Sequence, residues 1–480
     1  MTTAKLALPD ASRGGLLRRV LVYGATRGTA EGLLALRGIL LAAVLGPATF
    51  GSWALVRLAM RYAALGGLGI TRGLEFELLH PVPARGGDTR SPAGVALGFM
   101  LAVAGALAAL ALVASAVVSS AETRLLLRGF AAASVAESAY TYALVATRVR
   151  KSLRHYAGLE TGTAALHLAA SLGLAGLWGP AGAYAGLTLA NLAGLAVAAR
   201  WVELELSWDP ATLGRLLRLG VPVAVTGMVG TLLLTADRWV VAGWGGATML
   251  GYYAFGGSVA TAATAVAVVI RTVVFADVYG ETRSAGSAAA VRAHLERAVL
   301  PFARLLPPLL GALAIAVGPL VAATMPGYAP AVPAARLFFL GGAAMGVVNL
   351  ASIGAIAAGM QRRLPLYAGA ALGVTLALAF PALTLGLGLE GVAGASLAGH
   401  LVFAAAVLRL DAREAGVAAP ARFAVTALAP LAWCAAAVAA VGRLVPGHDS
   451  ASAAVAVAAY LLLLAPLAWS WAPEWRRLRR

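Results

Sequence analysis

The chain reads as long apolar runs separated by short breaks of Gly, Pro and charge. Fourteen runs can be marked: Val20–Leu45, Phe50–Ile70, Ala93–Val118, Leu125–Thr147, Tyr156–Trp178, Pro180–Arg200, Leu219–Gly243, Met249–Phe275, Val299–Ala323, Ala334–Gly359, Leu364–Leu387, Gly391–Leu408, Phe423–Val441 and Ser452–Trp471. Each is close to the ~20 residues that a helix rising 1.5 Å per residue needs to cross a hydrocarbon layer of ~30 Å. The pattern predicts an all-α, polytopic membrane protein of about fourteen transmembrane helices. The first run follows Lys5, Arg13, Arg18 and Arg19 as a signal peptide would, but it continues past Arg27, Glu31 and Arg37 to Leu45. That length predicts a retained first helix.

Composition agrees with this reading: 61% of the 480 residues are hydrophobic and 12% charged, against roughly 25% charged in soluble domains. The formal net charge of +17 would fit nucleic acid in another context, but the basic residues sit at the ends of the apolar runs. Alternating the loops puts 27 Lys and Arg on one side, including Lys151, Arg154, Arg283 and Arg413, and essentially Arg124 and Arg443 on the other. Cytoplasmic loops carry that excess, so both termini are predicted to be cytoplasmic in the plasma membrane. The opposite loops (46–49, 244–248, 325–333 and 388–390) are too short to hold a catalytic domain. Cys434 is the single cysteine and lies within an apolar run, so it excludes an intramolecular disulfide and any multi-cysteine metal site. No cofactor, metal or enzymatic activity is expected.

An internal repeat is visible at an offset of 200 residues. Gly46-Pro-Ala-Thr-Phe-Gly-Ser-Trp-Ala54 lines up with Gly246-Ala-Thr-Met-Leu-Gly-Tyr-Tyr-Ala254, matching Gly46 with Gly246 and Gly51 with Gly251. A weaker match sets Gly179-Pro-Ala-Gly-Ala183 against Gly391-Val-Ala-Gly-Ala395. Six helices per unit is an even number, so the two units share one orientation about an axis along the membrane normal. The expected organisation is a cytoplasmic segment at 1–19, an N-lobe at 20–200, a cytoplasmic linker at 201–218, a C-lobe at 219–409, two further helices at 423–472 and a basic tail at 473–480.

The membrane-embedded charges are the candidate chemistry. A charge at the bilayer centre costs at least ~2.5 kcal/mol, so such groups face a cavity or a partner. Arg27/Glu31 and Arg57/Arg61 are i,i+4 pairs, each on one helical face, and Asp237-Arg238 are adjacent in the seventh run. Arg27, Arg57, Arg61 and Arg238 are the candidate binding residues, with Glu31, Glu137 and Asp237 as gating or charge-balancing carboxylates. Arg37, Arg128, Arg271 and Arg336 are expected to reach an interface, where long basic side chains snorkel. His167 and His400 read as satisfied core residues, and Asn191 and Asn349 as interhelical hydrogen-bonding groups. Guanidinium stays charged when buried and offers phosphate two parallel hydrogen bonds, which suggests an anionic, phosphate-bearing cargo.

Three stretches are similar to the polysaccharide flippases of the multidrug/oligosaccharidyl-lipid/polysaccharide exporter superfamily: Leu45-Gly-Pro-Ala-Thr-Phe-Gly-Ser-Trp-Ala54; Leu219-Gly-Val-Pro222 with Ala236-Asp-Arg-Trp-Val-Val-Ala-Gly243 and Leu250-Gly-Tyr-Tyr-Ala254; and Tyr328-Ala-Pro-Ala-Val-Pro333. The resemblance covers most of the chain from Leu17 to Leu410. It implies twelve to fourteen helices in two six-helix bundles around a central cavity, alternating access, and export of a polyprenyl-phosphate-linked glycan. The protein is expected to act as a monomer in membrane lipid, with Na⁺ or H⁺ as candidate coupling ion. Asp237 and Arg238 stand where this group commonly has an acidic residue beside a basic one. A multidrug antiporter or a murein-precursor flippase would share the fold. A membrane glycosyl polymerase would need a large exoplasmic loop.

The loop charges make a topological prediction. In a Cys434-free background, single cysteines placed at positions 151, 283 and 413 should resist an impermeant thiol reagent added from outside and react after the membrane is opened. Labelling of intact cells at any of these positions would overturn the orientation.

Overall fold

The computed structural model describes the backbone of residues 13–79, 91–282, 287–445 and 450–478, with side chains over 26–79, 91–262, 288–445 and 452–467. Arg85, Arg90, Arg283 and most of the N-terminal segment lie outside the described residues, as do the side chains of Arg271 and of the basic tail.

Thirteen α-helices follow one another, with no strand among the described residues. They are α1 (Arg13–Ala63), α2 (Ile70–Leu79), α3 (Pro92–Val117), α4 (Ala121–Arg150), α5 (Leu153–Ala198), α6 (Pro210–Thr282), α7 (Ser287–His294), α8 (Leu300–Thr324), α9 (Val332–Ala357), α10 (Leu364–Thr384), α11 (Gly388–Glu414), α12 (Pro420–Leu444) and α13 (Ser450–Leu478). Helices α1, α5 and α6 hold 51, 46 and 73 residues, far more than a bilayer accommodates in one crossing. Each bends sharply, at Gly46 (φ 73°), at Trp178-Gly179 (φ 58° at the glycine) and at Gly246 (φ 69°). Positive φ is open to glycine because it lacks Cβ, so these residues reverse the chain without another loop. With each bent helix taken as two segments, and the short α2 and α7 set aside, the described residues give fourteen segments that correspond to the fourteen apolar runs.

The bends at Gly46 and Gly246 are near copies in backbone conformation, with ψ of 168° and −169°. They also pack against each other reciprocally. A methyl group on Gly51 would lie 1.7 Å from the Ala247 carbonyl oxygen, and one on Gly251 would lie 1.9 Å from the Pro47 carbonyl oxygen. Residue i of one turn thus meets residue j of the other and the reverse, the signature of a local two-fold contact. Lipid supplies no hydrophobic drive between helices, so close backbone approach through small residues carries the association. At the connection into the sixth run the left-handed glycine is Gly179; at the connection into α11 they are Gly386 (φ 74°) and Gly388 (φ 57°), the latter three residues ahead of the Gly391 aligned by sequence.

The 201–218 stretch is only partly a loop. From Pro210 onward it is already helical and forms the start of α6, while 203–209 is non-helical and its Ser207 amide donates to the Gly94 carbonyl on α3 at 3.3 Å. The sequence also hid α2. Its Ile70 and Leu74 are buried, its Glu75 pairs with Arg72 and Arg148, and its Glu77 pairs with Arg215 at 3.3 Å. Its polar residues recur too often for a span, and its ten residues are too few.

The turn contact generates a stability prediction. Gly51→Val should destabilise the protein by about 3 kcal/mol or more, because the new side chain meets backbone that cannot move aside. Gly32→Ala, where no atom lies within 4 Å of the added methyl, should be neutral or slightly stabilising. Unfolding of the two purified variants in detergent, followed by tryptophan fluorescence, checks this; a Gly51→Val variant that unfolds with the parent would refute the contact.

Candidate functional site

Helices α1 and α6 cross the middle of the molecule, and their two arms wrap a cavity of about 770 Å³ with α4, α9 and α11 completing the wall. On the first arm of α1, Arg27, Glu31, Leu34 and Gly38 fall at the i, i+4, i+7, i+11 positions of one face and line it. On the second arm the face is Phe50, Trp53, Arg57 and Arg61. From α6 come Asp237, Arg238, Gly257 and Ser258, from α4 Glu137, from α9 Phe338, Met345 and Asn349, and from α11 His400. All seven candidates from the sequence, Arg27, Arg57, Arg61, Arg238, Glu31, Glu137 and Asp237, are therefore brought to one space.

Because the bends at Gly46 and Gly246 touch, depth can be counted from them. At 1.5 Å per residue, Arg238 and Arg37 lie ~12–13 Å below the bends, Arg57 ~16 Å, Arg61 ~22 Å and Arg27 ~28 Å. The charges form a ladder along the cavity. Toward the bends the walls are tight, since Leu41, Phe50, Leu250 and Phe255 are almost wholly buried, and the Tyr328 hydroxyl donates to the Ala42 carbonyl at 2.8 Å. Tyr328 also packs against the rings of Tyr252 and Phe255. At the other end Arg27 and Arg61 are open to solvent, with 41% of the Arg27 side chain exposed. The cavity opens toward the side that carries the basic loops.

Pairing divides the arginines into two kinds. Arg27 is held between Glu31, at 2.5 Å, and Glu160 on α5. Arg57 is held by Glu137 at 2.7 Å. Asp237 is buried and does not engage its neighbour's guanidinium. Its carboxylate accepts from the Tyr253 hydroxyl (2.7 Å), the Ser396 hydroxyl (2.6 Å) and the Arg238 backbone amide (2.8 Å), which ties α6 to α11. Arg37, Arg61 and Arg238 have no ion pair among the described residues. Arg37 is 4% exposed, lies 5.3 Å over the Trp53 ring, and has Nε and one terminal nitrogen without a hydrogen-bond partner. Arg61 and Arg238 are set side by side by their neighbours, as the Tyr62 hydroxyl meets the Thr235 hydroxyl at 2.9 Å and the Tyr62 ring stands edge-on to Trp239.

Five guanidiniums and three carboxylates line the cavity, an excess of two positive charges, and every carboxylate is already engaged. A space of this kind favours anions. Arg37 departs from the expectation of an interfacial residue. Measured back from the Gly46-Pro47 bend, instead of from the edge of its apolar run, its depth was already legible. His400 departs too: it lines the cavity with both ring nitrogens unpartnered, close to Gly341. Glu160 was missed because its partner Arg27 lies 133 residues away. His167 and Asn191 bond to each other at 3.1 Å, as core groups do, whereas Asn349 faces the cavity. Arg128 is exposed, and Arg336 is half-buried with an unpartnered Nε.

No protein-family model matches the chain, and no curated protein matches it in sequence. Solved structures match it closely in shape. An inward closed form of the lipid II flippase MurJ superposes with a TM-score of 0.66 at 12% identity, covering 95% of this chain and 99% of that one. An inward-facing multidrug resistance transporter of the MATE family gives 0.60 at 14% identity, covering 88% and 99%. A Pyrococcus furiosus MOP-superfamily transporter, described as having a binding pocket of reverse polarity, gives 0.55 at 16%, covering 86% and 99%. The chain has the fold of the MOP-superfamily transporters.

Proposed function

We propose that this protein is a membrane flippase that moves an anionic, lipid-linked saccharide between leaflets by alternating access, with the cargo's phosphate held by Arg37, Arg61 and Arg238. The observation that carries this reading is the surplus of unpaired guanidinium in a cavity whose carboxylates are all occupied. Like charges gathered in a low-dielectric space raise one another's energy until an anion neutralises them, so a pyrophosphate gains a site and relieves a strain together. Transport also needs the anion to bind one conformation more tightly than the other, since equal affinity shifts no equilibrium. The ladder supplies such a difference. Arg61 and Arg27 stand at the open mouth and Arg37 and Arg238 deep against the closed end, so closing the mouth changes which arginines reach the anion.

Residues 20–200 and 219–409 act in this scheme as two lobes that pivot about the Gly51–Gly251 contact, with Asp237 anchoring α6 within the second lobe. A site for cationic drugs would require free carboxylates, and the engagement of Glu31, Glu137 and Asp237 counts against it. A murein precursor as cargo is the second reading, favoured by the likeness to the lipid II flippase and by the same arginines. Na⁺ or H⁺ are the candidate coupling ions, and the plasma membrane is the site of action.

Replacing Arg61 or Arg238 by Ala should lower flipping of a polyprenyl-diphosphate sugar in proteoliposomes by about ten- to hundredfold, the worth of a hydrogen bond to a charged group, with normal folding and insertion. Lys at either position should restore only part of the rate, because its ammonium lacks the bidentate fork. Wild-type flipping by both Ala variants would remove the arginines from the mechanism.

A further inference from the structure

A second basic site lies apart from the central cavity, where α10 begins and α11 ends. A surface pocket of about 290 Å³ is lined by Arg363, Tyr367, Ala406, Arg409, Leu410 and Arg413. We propose that this pocket binds the phosphodiester headgroup of an anionic membrane phospholipid.

The sequence places the three arginines by simple spacing. Arg409 and Arg413 are i,i+4 on α11 and share a face, an arrangement that is unfavourable for two cations unless an anion joins them. Arg363 immediately precedes α10 and reaches the same hollow from the neighbouring helix. None of the three has an ion pair among the described residues, although Glu414 is adjacent in sequence to Arg413. Orientation of a membrane protein requires only that basic residues lie on one side; it does not require them to converge on one hollow. The corresponding corner around α5 shows the contrast. There His155 stands edge-on to Trp201 with ring centres 4.8 Å apart, and Arg150 pairs with Glu203 at 3.5 Å, so rings and a carboxylate occupy the space.

Depth selects the ligand. Leu364 opens the apolar part of α10, Leu410 closes that of α11, and Tyr367 sits one turn inside, the level at which aromatic residues mark the headgroup layer. Guanidiniums at that level meet the phosphate of a lipid, and Ala406 and Leu410 add apolar surface to the same pocket. Basic pockets between transmembrane helices at the cytoplasmic boundary have this chemistry. The central cavity shares only α11 with this pocket, through His400, nine residues and ~13 Å away along the helix from Arg409.

The test uses the full-length protein in detergent micelles and a fluorescent phosphatidylglycerol as probe, diluted in phosphatidylcholine. The parent should bind the probe saturably. R409Q/R413Q should bind about tenfold or more weakly, given the contribution of each basic residue near an anionic surface. R154Q/R200Q, which removes two exposed arginines from the corresponding corner around α5, should bind as the parent does. Inorganic phosphate at millimolar concentration should leave the probe in place. The proposal is overturned if R409Q/R413Q binds like the parent, if R154Q/R200Q weakens binding equally and so reveals only diffuse charge, or if inorganic phosphate displaces the probe and marks a site for a soluble anion. The assay does not involve flipping, so its failure and that of the proposed transport function are separable.

Discussion

Everything in the architecture turns on one close contact, the backbone approach of Pro47–Gly51 to Ala247–Gly251. Two long helices bend at left-handed glycines and touch through residues that have no side chain to keep them apart. In a bilayer, such packing replaces the hydrophobic drive that would hold soluble helices together. The contact fixes both bends at one level, and the four arms that descend from it enclose the cavity. Where the bends lie decides how deep every charge on α1 and α6 stands.

The cavity then follows from the cost of charge in hydrocarbon. Arg27 and Arg57 are stabilised by carboxylates from other helices, and these ion pairs tie α1 to α5 and α4. Asp237 does similar work with hydroxyls, joining α6 to α11 through Tyr253 and Ser396. Once the acids are engaged, Arg37, Arg61 and Arg238 are left without a carboxylate partner in a confined space, Arg37 buried against Trp53 and Arg61 open to solvent. The proposed function rests on that remainder and not on the number of arginines, because a cavity with as many free acids would suit cations. The same logic separates the pocket on α10 and α11 from ordinary topological charge: three guanidiniums converge there with no acid among them.

The comparisons with solved structures fit this division. The fold is shared with a multidrug resistance transporter, a lipid II flippase and a transporter described as having a binding pocket of reverse polarity, all at low sequence identity. Proteins of one fold thus carry different descriptions, and fold alone does not name the substrate.

Much of the architecture was legible in the chain itself. Apolar runs of bilayer length and one-sided basic loops determine an all-helical membrane protein, because an unpaired backbone group or a lipid-facing charge is too costly to be placed at random. Gly46 and Gly246, 200 residues apart, already marked the two turns, and helical spacing already put Arg57 and Arg61 on one face. What the tertiary structure decided was pairing. The bond of Glu160 to Arg27, the capture of Asp237 by Ser396 across 159 residues, the stacking of Arg37 on Trp53 and the short α2 helix depend on which faces meet. Helical periodicity orders residues around one axis but carries no information about the neighbouring helix. For that reason the sequence could list the charges of the site, and only the packed structure could show which of them are left free.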